Sequence, residues 1–239
     1  MAKSGSRQKA KAQAAPGGRG EPVRGQAEET RHRLVEAGLD AFGRFGFDGA
    51  STREIARRAG VNLAAIPYHF GGKEGLHRAV AEHIVEEVGA RIGPMIDTVS
   101  ASIERDEIAP ERARTMLKMV AVQAAEVILG HPEASRWAPF ILREQMDPSP
   151  TFNVIYEGFL GHALDAATAL YARATGRPAS DPETTAAALM LFGQLVILRI
   201  GRAMVERRLG WTAYGPDEIA VVKELLSRNL DAMIEAGRV

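Results

Sequence analysis

The stretch Ser51 to Leu76, "STREIARRAGVNLAAIPYHFGGKEGL", decides the fold. Ser51-Thr52-Arg53-Glu54 has the S-x-x-E spacing of a capping box, and the helix it opens should end near Gly60. Asn62 is a good N-cap for a further short helix, with Leu63 to Ile66 as its first turn and Gly71-Gly72 just past Phe70. Two short helices joined by Gly60-Val61, after a longer one, describe a helix-turn-helix. Packing them on the preceding helix, through Leu34, Ala41 and Phe45, would bury Ile55, Ala56, Ala59, Val61, Ile66 and Phe70. Thr52, Arg53, Leu63, Ala64, Ala65, Tyr68 and His69 are then left on the outer face, with Lys73 at the next helix N-terminus.

Those outward residues suit double-stranded DNA. Ala64 and Ala65 allow close approach to a groove floor and to thymine methyls, and Arg53 can donate two hydrogen bonds to guanine O6 and N7. Thr52, His69 and Lys73 are placed to meet phosphate oxygens, and Tyr68 offers a ring and a hydroxyl. On pattern alone the same face also suits a helical hairpin that is merely soluble. Pro67 is the oddity in this second helix. A proline in a helix interior costs about 3 kcal/mol, because it cannot donate to the carbonyl four residues back and crowds it. Here only the 67→63 bond would be lost, so a slightly distorted helix is expected, which Pro67→Asn should stabilise by up to about 2 kcal/mol.

Helical periodicity continues in both directions, and no run shows sustained strand alternation. A first helix over 28–45 should stop at Gly46. Lys73 opens a long helix that Ile92-Gly93-Pro94 should kink or break, with a separate segment at 95–105. Further helical patterns cover 110–129, 133–146, 150–175, 182–208 and 217–236. The expected architecture is all-α with about nine to ten helices: a basic tail over 1–27, a helix-turn-helix domain over 28–74 and a helical body over 75–237.

The 239 residues carry no net charge, yet residues 1–80 hold 14 Lys+Arg against 8 Asp+Glu, leaving 16 against 22 in the remainder. A basic end on an acidic body points to a polyanion partner. Much of the excess lies in the tail, which reads as a disordered solubilising segment, with a DNA arm as the alternative. There is no cysteine, which excludes disulfides and thiolate metal sites. The six histidines show no metal-ligand spacing, and no G-x-S-x-G, Walker A or S-x-x-K motif occurs. No enzyme activity and no cofactor are implied. The apolar stretch Ala186 to Ile200 is interrupted by Gln194 and Arg199 and reads as a buried helix, not a membrane span. No apolar leader is apparent, so a cytoplasmic protein is expected.

Residues 28–77, "EETRHRLVEAGLDAFGRFGFDGASTREIARRAGVNLAAIPYHFGGKEGLH", resemble the DNA-binding domain of TetR-family transcriptional regulators. The likeness is carried by the first helix ending in Gly46-Phe47, by "TREIARRAGV" and by "YHFGGKEGL". "FILREQMDPSP" (Phe140 to Pro150) and "RLGWTAY" (Arg208 to Tyr214) are similar to the subgroup typified by CecR. The resemblance implies a homodimeric repressor that binds a near-palindromic operator and is released by a small-molecule effector. By position, Thr52, Tyr68, His69 and Lys73 match backbone- and groove-contacting places, and Arg53, Ala64 and Ala65 face bases. A helical scaffold without sequence-specific DNA binding is the alternative.

For the effector, Phe140, Arg143, Glu144, Tyr156, Phe159 and Gln194 are aromatic or polar residues on otherwise apolar helices in the 110–205 region. The competing reading is that the aromatics are core and that Arg143 and Glu144 form ion pairs. The segments 182–208 and 217–236 carry apolar residues on more than one side, as a two-fold four-helix interface requires. The Gly93-Pro94 kink is the expected point of transmission between the two regions.

Overall fold

The computed structural model describes residues 21–105 and 108–239. All regular structure among these residues is helical: α1 (Glu21–Gly49), α2 (Thr52–Ala59), α3 (Ala65–Phe70), α4 (Lys73–Glu104), α5 (Pro110–Ala125), α6 (Ala134–Met146), α7 (Pro150–Ile155), α8 (Gly161–Thr175), α9 (Pro182–Ile200), α10 (Arg202–Leu209) and α11 (Pro216–Gly237). Two wider π-type turns, Glu126–Gly130 and Tyr156–Leu160, extend α5 and join α7 to α8. The pattern expected over 150–175 is therefore one continuous run of helical backbone.

Several boundaries differ from expectation, each for a local reason. α1 begins at Glu21 and not at 28, with Pro22 in the first turn, where no N–H is needed; the rest of the expected tail, 1–20, lies outside the described residues. Gly46 leaves helical angles as expected (φ 73°), and one more turn follows to Gly49. That reversal turns Phe45 outward, 46% exposed, and Phe47 packs against the core in its place. The expected break at Pro94 does not occur, and 95–104 is part of α4. Pro94 and Ala90, whose carbonyl loses its partner, are both exposed, while Val88 and Val99 anchor the turns on either side. The 182–208 pattern instead breaks at Gly201, which closes α9 by donating to the Ile197 carbonyl at 2.8 Å.

Three apolar clusters hold the bundle. The first contains Leu34, Phe42, Ile55, Ile66 and Leu76 together with Trp137, Phe140, Ile155 and Phe159. One core thus runs from the helix-turn-helix into α6 and α7, across the boundary expected at 74/75. The second gathers Leu117, Leu170, Leu191, Leu230 and Ile234 from α5, α8, α9 and α11, and the third, around Leu195, Ile219, Val222 and Leu226, closes the far end. Burying a Leu, Ile or Phe side chain in such clusters contributes about 1.5–3 kcal/mol each.

α9 is not the fully buried helix expected. It is long and apolar enough to cross a membrane by length and composition, with a mean hydropathy of 1.4, but only 28% of it is buried. Leu191 and Leu195 point into the bundle, while Leu189, Met190, Ile197 and Ile200 are about half exposed or more. Met204 on α10 and Val221 and Leu225 on α11 are exposed as well.

Candidate nucleic-acid interface and effector cavity

α2 buries Ile55, Ala56 and Ala59, and its last turn is closed by Gly60 N donating to the Arg57 carbonyl and Val61 N to that of Ala56. The expected capping box is absent: Ser51 makes no side-chain cap. Glu54 is held instead by Arg57 at 2.7 Å and Arg58 at 2.8 Å. Those two charge-assisted bonds outcompete a backbone N–H and pull the Glu54 carboxyl down to about 2.

Asn62 does cap the next turn, its Oδ1 accepting from Ala64 N at 2.9 Å. The chain then tightens. Ala65 N donates to the Asn62 carbonyl at 2.9 Å and Ile66 N to that of Leu63 at 3.2 Å, so α3 itself starts only at Ala65. This resolves Pro67. It is the third residue of α3, where a backbone N–H would have no intrahelical partner, and the Leu63 carbonyl it would have used is already taken by Ile66. The distortion expected from the sequence is a short 3₁₀ turn ahead of the proline, not a broken bond within the helix.

After α3 the chain must reverse at once into α4. Gly72 sits at φ 145°, a region that L side chains rarely adopt, and a Cβ on Gly75 would lie 1.8 Å from the Phe70 carbonyl oxygen. The "GGKEG" spacing is thus a backbone requirement that fixes the angle between α3 and α4.

On the face so formed, Tyr68 is 82% exposed and packs edge-on against His69 at 4.9 Å between ring centroids. Arg53, Leu63 and Ala64 are exposed, and Thr52, Ala65, His69 and Lys73 are partly so. Among the described residues Arg53 has no hydrogen-bond or ion-pair partner, unlike Arg57 and Arg58. The Lys73 ammonium rests 4.7 Å from the centre of the Phe47 ring and 3.3 Å from the Asp48 carbonyl, which aims it without neutralising it. The eight residues expected to meet DNA therefore lie on α2, α3, the turn between them and the start of α4.

α6 joins the helix-turn-helix to the body, a role that the sequence reading missed. It packs on α1 more extensively than α2, α3 or α4 does. Arg143 donates to the α1 carbonyls just before the Gly46 kink, Gly43 at 2.9 Å and Arg44 at 2.7 Å. Arg136 bonds Glu36 at 2.6 Å and Asp40 at 3.0 Å. Nearby, His77 is enclosed by Phe42, Phe47 and Phe140, with Nδ1 3.1 Å from Thr151 Oγ1 and Nε2 3.5 Å from Glu144. Burial, then the neighbouring Lys73 charge, pushes the imidazole down to about 4. Glu144 in turn accepts from Ser149 Oγ at 2.7 Å.

The opposite side of α6 walls an apolar cavity of about 270 Å³, closed by α8 and α9. Of the residues expected to bind an effector, Tyr156 and Phe159 line it. Four do not. Phe140 is fully buried in the reader's core, Arg143 caps α1, Glu144 faces His77 and Ser149, and Gln194 pairs with Asn229 at 2.8 Å. Their helical spacing is right, but each is taken up by a partner on another face. The cavity's polar residues are Gln145, Tyr156 and Arg199; Gln145 directly follows Arg143 and Glu144 in sequence. Arg199 is legible in the sequence as the charge that ends an apolar run.

An exposed helix-turn-helix packed through α4 and α6 onto a hollow helical body defines a DNA-binding regulator of the two-part kind. Residues 34–80 match the N-terminal domain of the bacterial regulatory proteins of the TetR family. Residues 113–237, more than half of the chain, match the C-terminal domain of the HTH-type transcriptional dual regulator CecR. The protein belongs to the TetR family of transcriptional regulators, in the group that carries the CecR-type C-terminal domain. The CecR dual regulator of Shigella flexneri is 28% identical over 213 residues, spanning 88% of this chain and 93% of that one. RaaS of Mycobacterium tuberculosis is 46% identical over 63 residues, 26% of this chain and 29% of its own. A transcriptional regulator from Rhodococcus sp. Rha1 shares the fold, with a TM-score of 0.54 at 21% identity, over 87% of this chain and 98% of that one.

Proposed function

We propose that the protein is a dimeric, effector-released repressor whose α2–α3 face reads operator DNA. The observation that carries this reading is the double role of α6: one side grips α1 through Arg136 and Arg143, and the other walls the apolar cavity through Trp137, Ile141 and Leu142. A ligand that fits only one position of α6 changes the placement of the reader, and differential affinity of that kind is what regulation requires. Arg53, Ala64 and Ala65 face base edges, while Thr52, Tyr68, His69 and Lys73 hold phosphates, with Leu63 packed against the groove wall. The half-exposed apolar side of α9 and α11 pairs with a second copy, setting two readers about one helical turn of DNA apart, or a multiple of it, on a near-palindrome. The body over 75–237 thus houses effector and dimer contacts, and the protein acts in the cytoplasm, by binding and not by catalysis.

Electrophoretic mobility shift with the protein's own promoter region tests this. The expected result is a saturable complex resistant to excess unrelated DNA, lost on Arg53→Ala together with Lys73→Ala. Binding that unrelated DNA competes away equally would leave only a non-specific cation and defeat the reading.

A further inference from the structure

We infer that the regulatory cavity takes an amphipathic anion: an apolar body in the chamber between α6, α8 and α9, and a carboxylate or phosphate head at its mouth, held by Arg199 and Arg202. The inference rests on reading this cavity as the effector site and adds the chemical class of the effector.

Arg199 carries the argument. It lines the apolar chamber and also a second, wetter hollow of about 620 Å³ that shares Ala138, Leu142 and Ile200 with it, so the two volumes meet at this side chain. Among the described residues its guanidinium has no hydrogen bond and no ion pair. A partly buried cation in that state is costly, because its lost hydration is not replaced. Burial, then the nearby Arg202 charge, pulls its proton affinity down, and Tyr214 works the other way. Among the described residues no Asp or Glu lines either hollow.

The rest of the mouth supplies donors. Arg202 lies over the Tyr214 ring at 5.8 Å and also bonds the Thr212 carbonyl. His131 accepts from Glu133 N through Nδ1 at 3.2 Å, which places its own proton on Nε2 as a further donor. Behind these groups the wall is aliphatic and aromatic apart from Gln145 and the Tyr156 hydroxyl. An apolar cavity of about 150 Å³ holds a benzene, so about 270 Å³ has room for on the order of ten carbons. A cation at this mouth would meet two arginines, and a neutral head would leave Arg199 unpaired.

Calorimetric titration with decanoate, decyl phosphate, 1-decanol and decyltrimethylammonium tests the assignment, on wild type, Arg199→Gln, its double variant with Arg202→Gln, and Ala163→Trp. On wild type at least one anion should bind about tenfold or more tighter than the alcohol, and the ammonium should not bind. Whether decanoate or decyl phosphate is preferred tells a carboxylate head from a phosphate one. Arg199→Gln should cut the anions' advantage over the alcohol severalfold, while melting no lower than wild type because the lost charge had no partner, and Arg199→Gln with Arg202→Gln should bring the anions level with the alcohol. Ala163→Trp, which fills the chamber, should abolish binding of every probe. If 1-decanol matches both anions on wild type, or Arg199→Gln leaves the preference for anions at its wild-type size, the anionic head is wrong and the effector cavity still stands. If no ten-carbon probe binds wild type, the cavity reading itself fails and this inference falls with it.

Discussion

Replacing Pro67 by alanine should lower stability, the opposite of what a helix-interior proline predicts. At an interior position the substitution would restore a backbone bond and relieve a clash, for a gain of up to about 3 kcal/mol. In this protein neither gain is on offer. The Leu63 carbonyl already accepts from Ile66 N at 3.2 Å, and Pro67, third in α3, occupies a position whose N–H has no acceptor within the helix. Its own carbonyl is used normally, accepting from Gly71 N at 3.0 Å. What remains is the effect on the unfolded chain, where proline removes conformations, and losing that restriction costs about 0.4–1 kcal/mol. With a urea m-value of about 2–3 kcal/mol/M, the midpoint should fall by about 0.1–0.5 M. Pro67→Asn should fall in the same range, because the exposed side chain gains no cap there. Urea melts of both variants at fixed protein concentration measure the shift, and operator titration by anisotropy should show affinity held. A rise in stability of 1 kcal/mol or more in either variant would mean that the proline is strained after all and that the 3₁₀ turn does not absorb it.

Arg53→Ala should cost about 1–3 kcal/mol at one base pair and relax preference there, whereas Lys73→Ala should weaken all sequences alike and reduce the slope of log affinity on log salt by about one; an equal loss on every sequence for Arg53→Ala would make it a phosphate clamp. His77 should make the fold acid-sensitive. Its folded value of about 4 lies below the usual 6.5, so the unfolded chain takes up the proton first and stability falls with pH between those values, by about 2 kcal/mol from pH 7 to pH 5. His77→Phe should flatten that part of the profile in urea melts at the two pH values, and an unchanged slope would count against it. Ile197→Asp, on the exposed side of α9, should turn a dimer into a monomer by light scattering and weaken operator binding; a variant that stays dimeric would place the interface elsewhere.

Much of this fold was legible because helices announce themselves through period and punctuation. Gly60, Gly71 and the prolines at Pro110, Pro150 and Pro182 each mark an end that the structure keeps, and Gly46 marks a kink inside α1. The errors arose where a local signal lost to a partner distant in sequence or to a competing neighbour. Ser51 to Glu54 has capping-box spacing, but two arginines a turn later hold the carboxylate more strongly. Pro94 looks like a break until the long helix around it is seen to be anchored on both sides. Arg143 and Glu144 stand beside cavity residues in sequence, yet helical geometry turns them toward α1 and His77, and no spacing rule says which side of a buried helix faces a hollow. The reader residues were easier, because exposure on a short helix follows once the inward positions are fixed.

The meeting of α6 and α1 at Gly43 has a mechanical consequence. A Cβ at Gly43 would stand 3.5 Å from the Arg136 carbonyl oxygen, the Phe140 amide nitrogen and the Pro139 side chain, so main chain lies almost against main chain. Most helix pairs are separated by side chains that change rotamer and soak up small displacements, as a rubber bush does in a linkage. Here no such bush is fitted on the α1 side, and Arg143 pins the same spot by the Gly43 and Arg44 carbonyls. The joint has no backlash: a shift of α6 of even a few tenths of an ångström displaces the end of α1, and with it the packing of Phe42 and Phe47 beneath the reader. If α6 carries the regulation as proposed, widening this contact with a longer residue at Gly43 should detune that coupling while leaving both ends chemically intact.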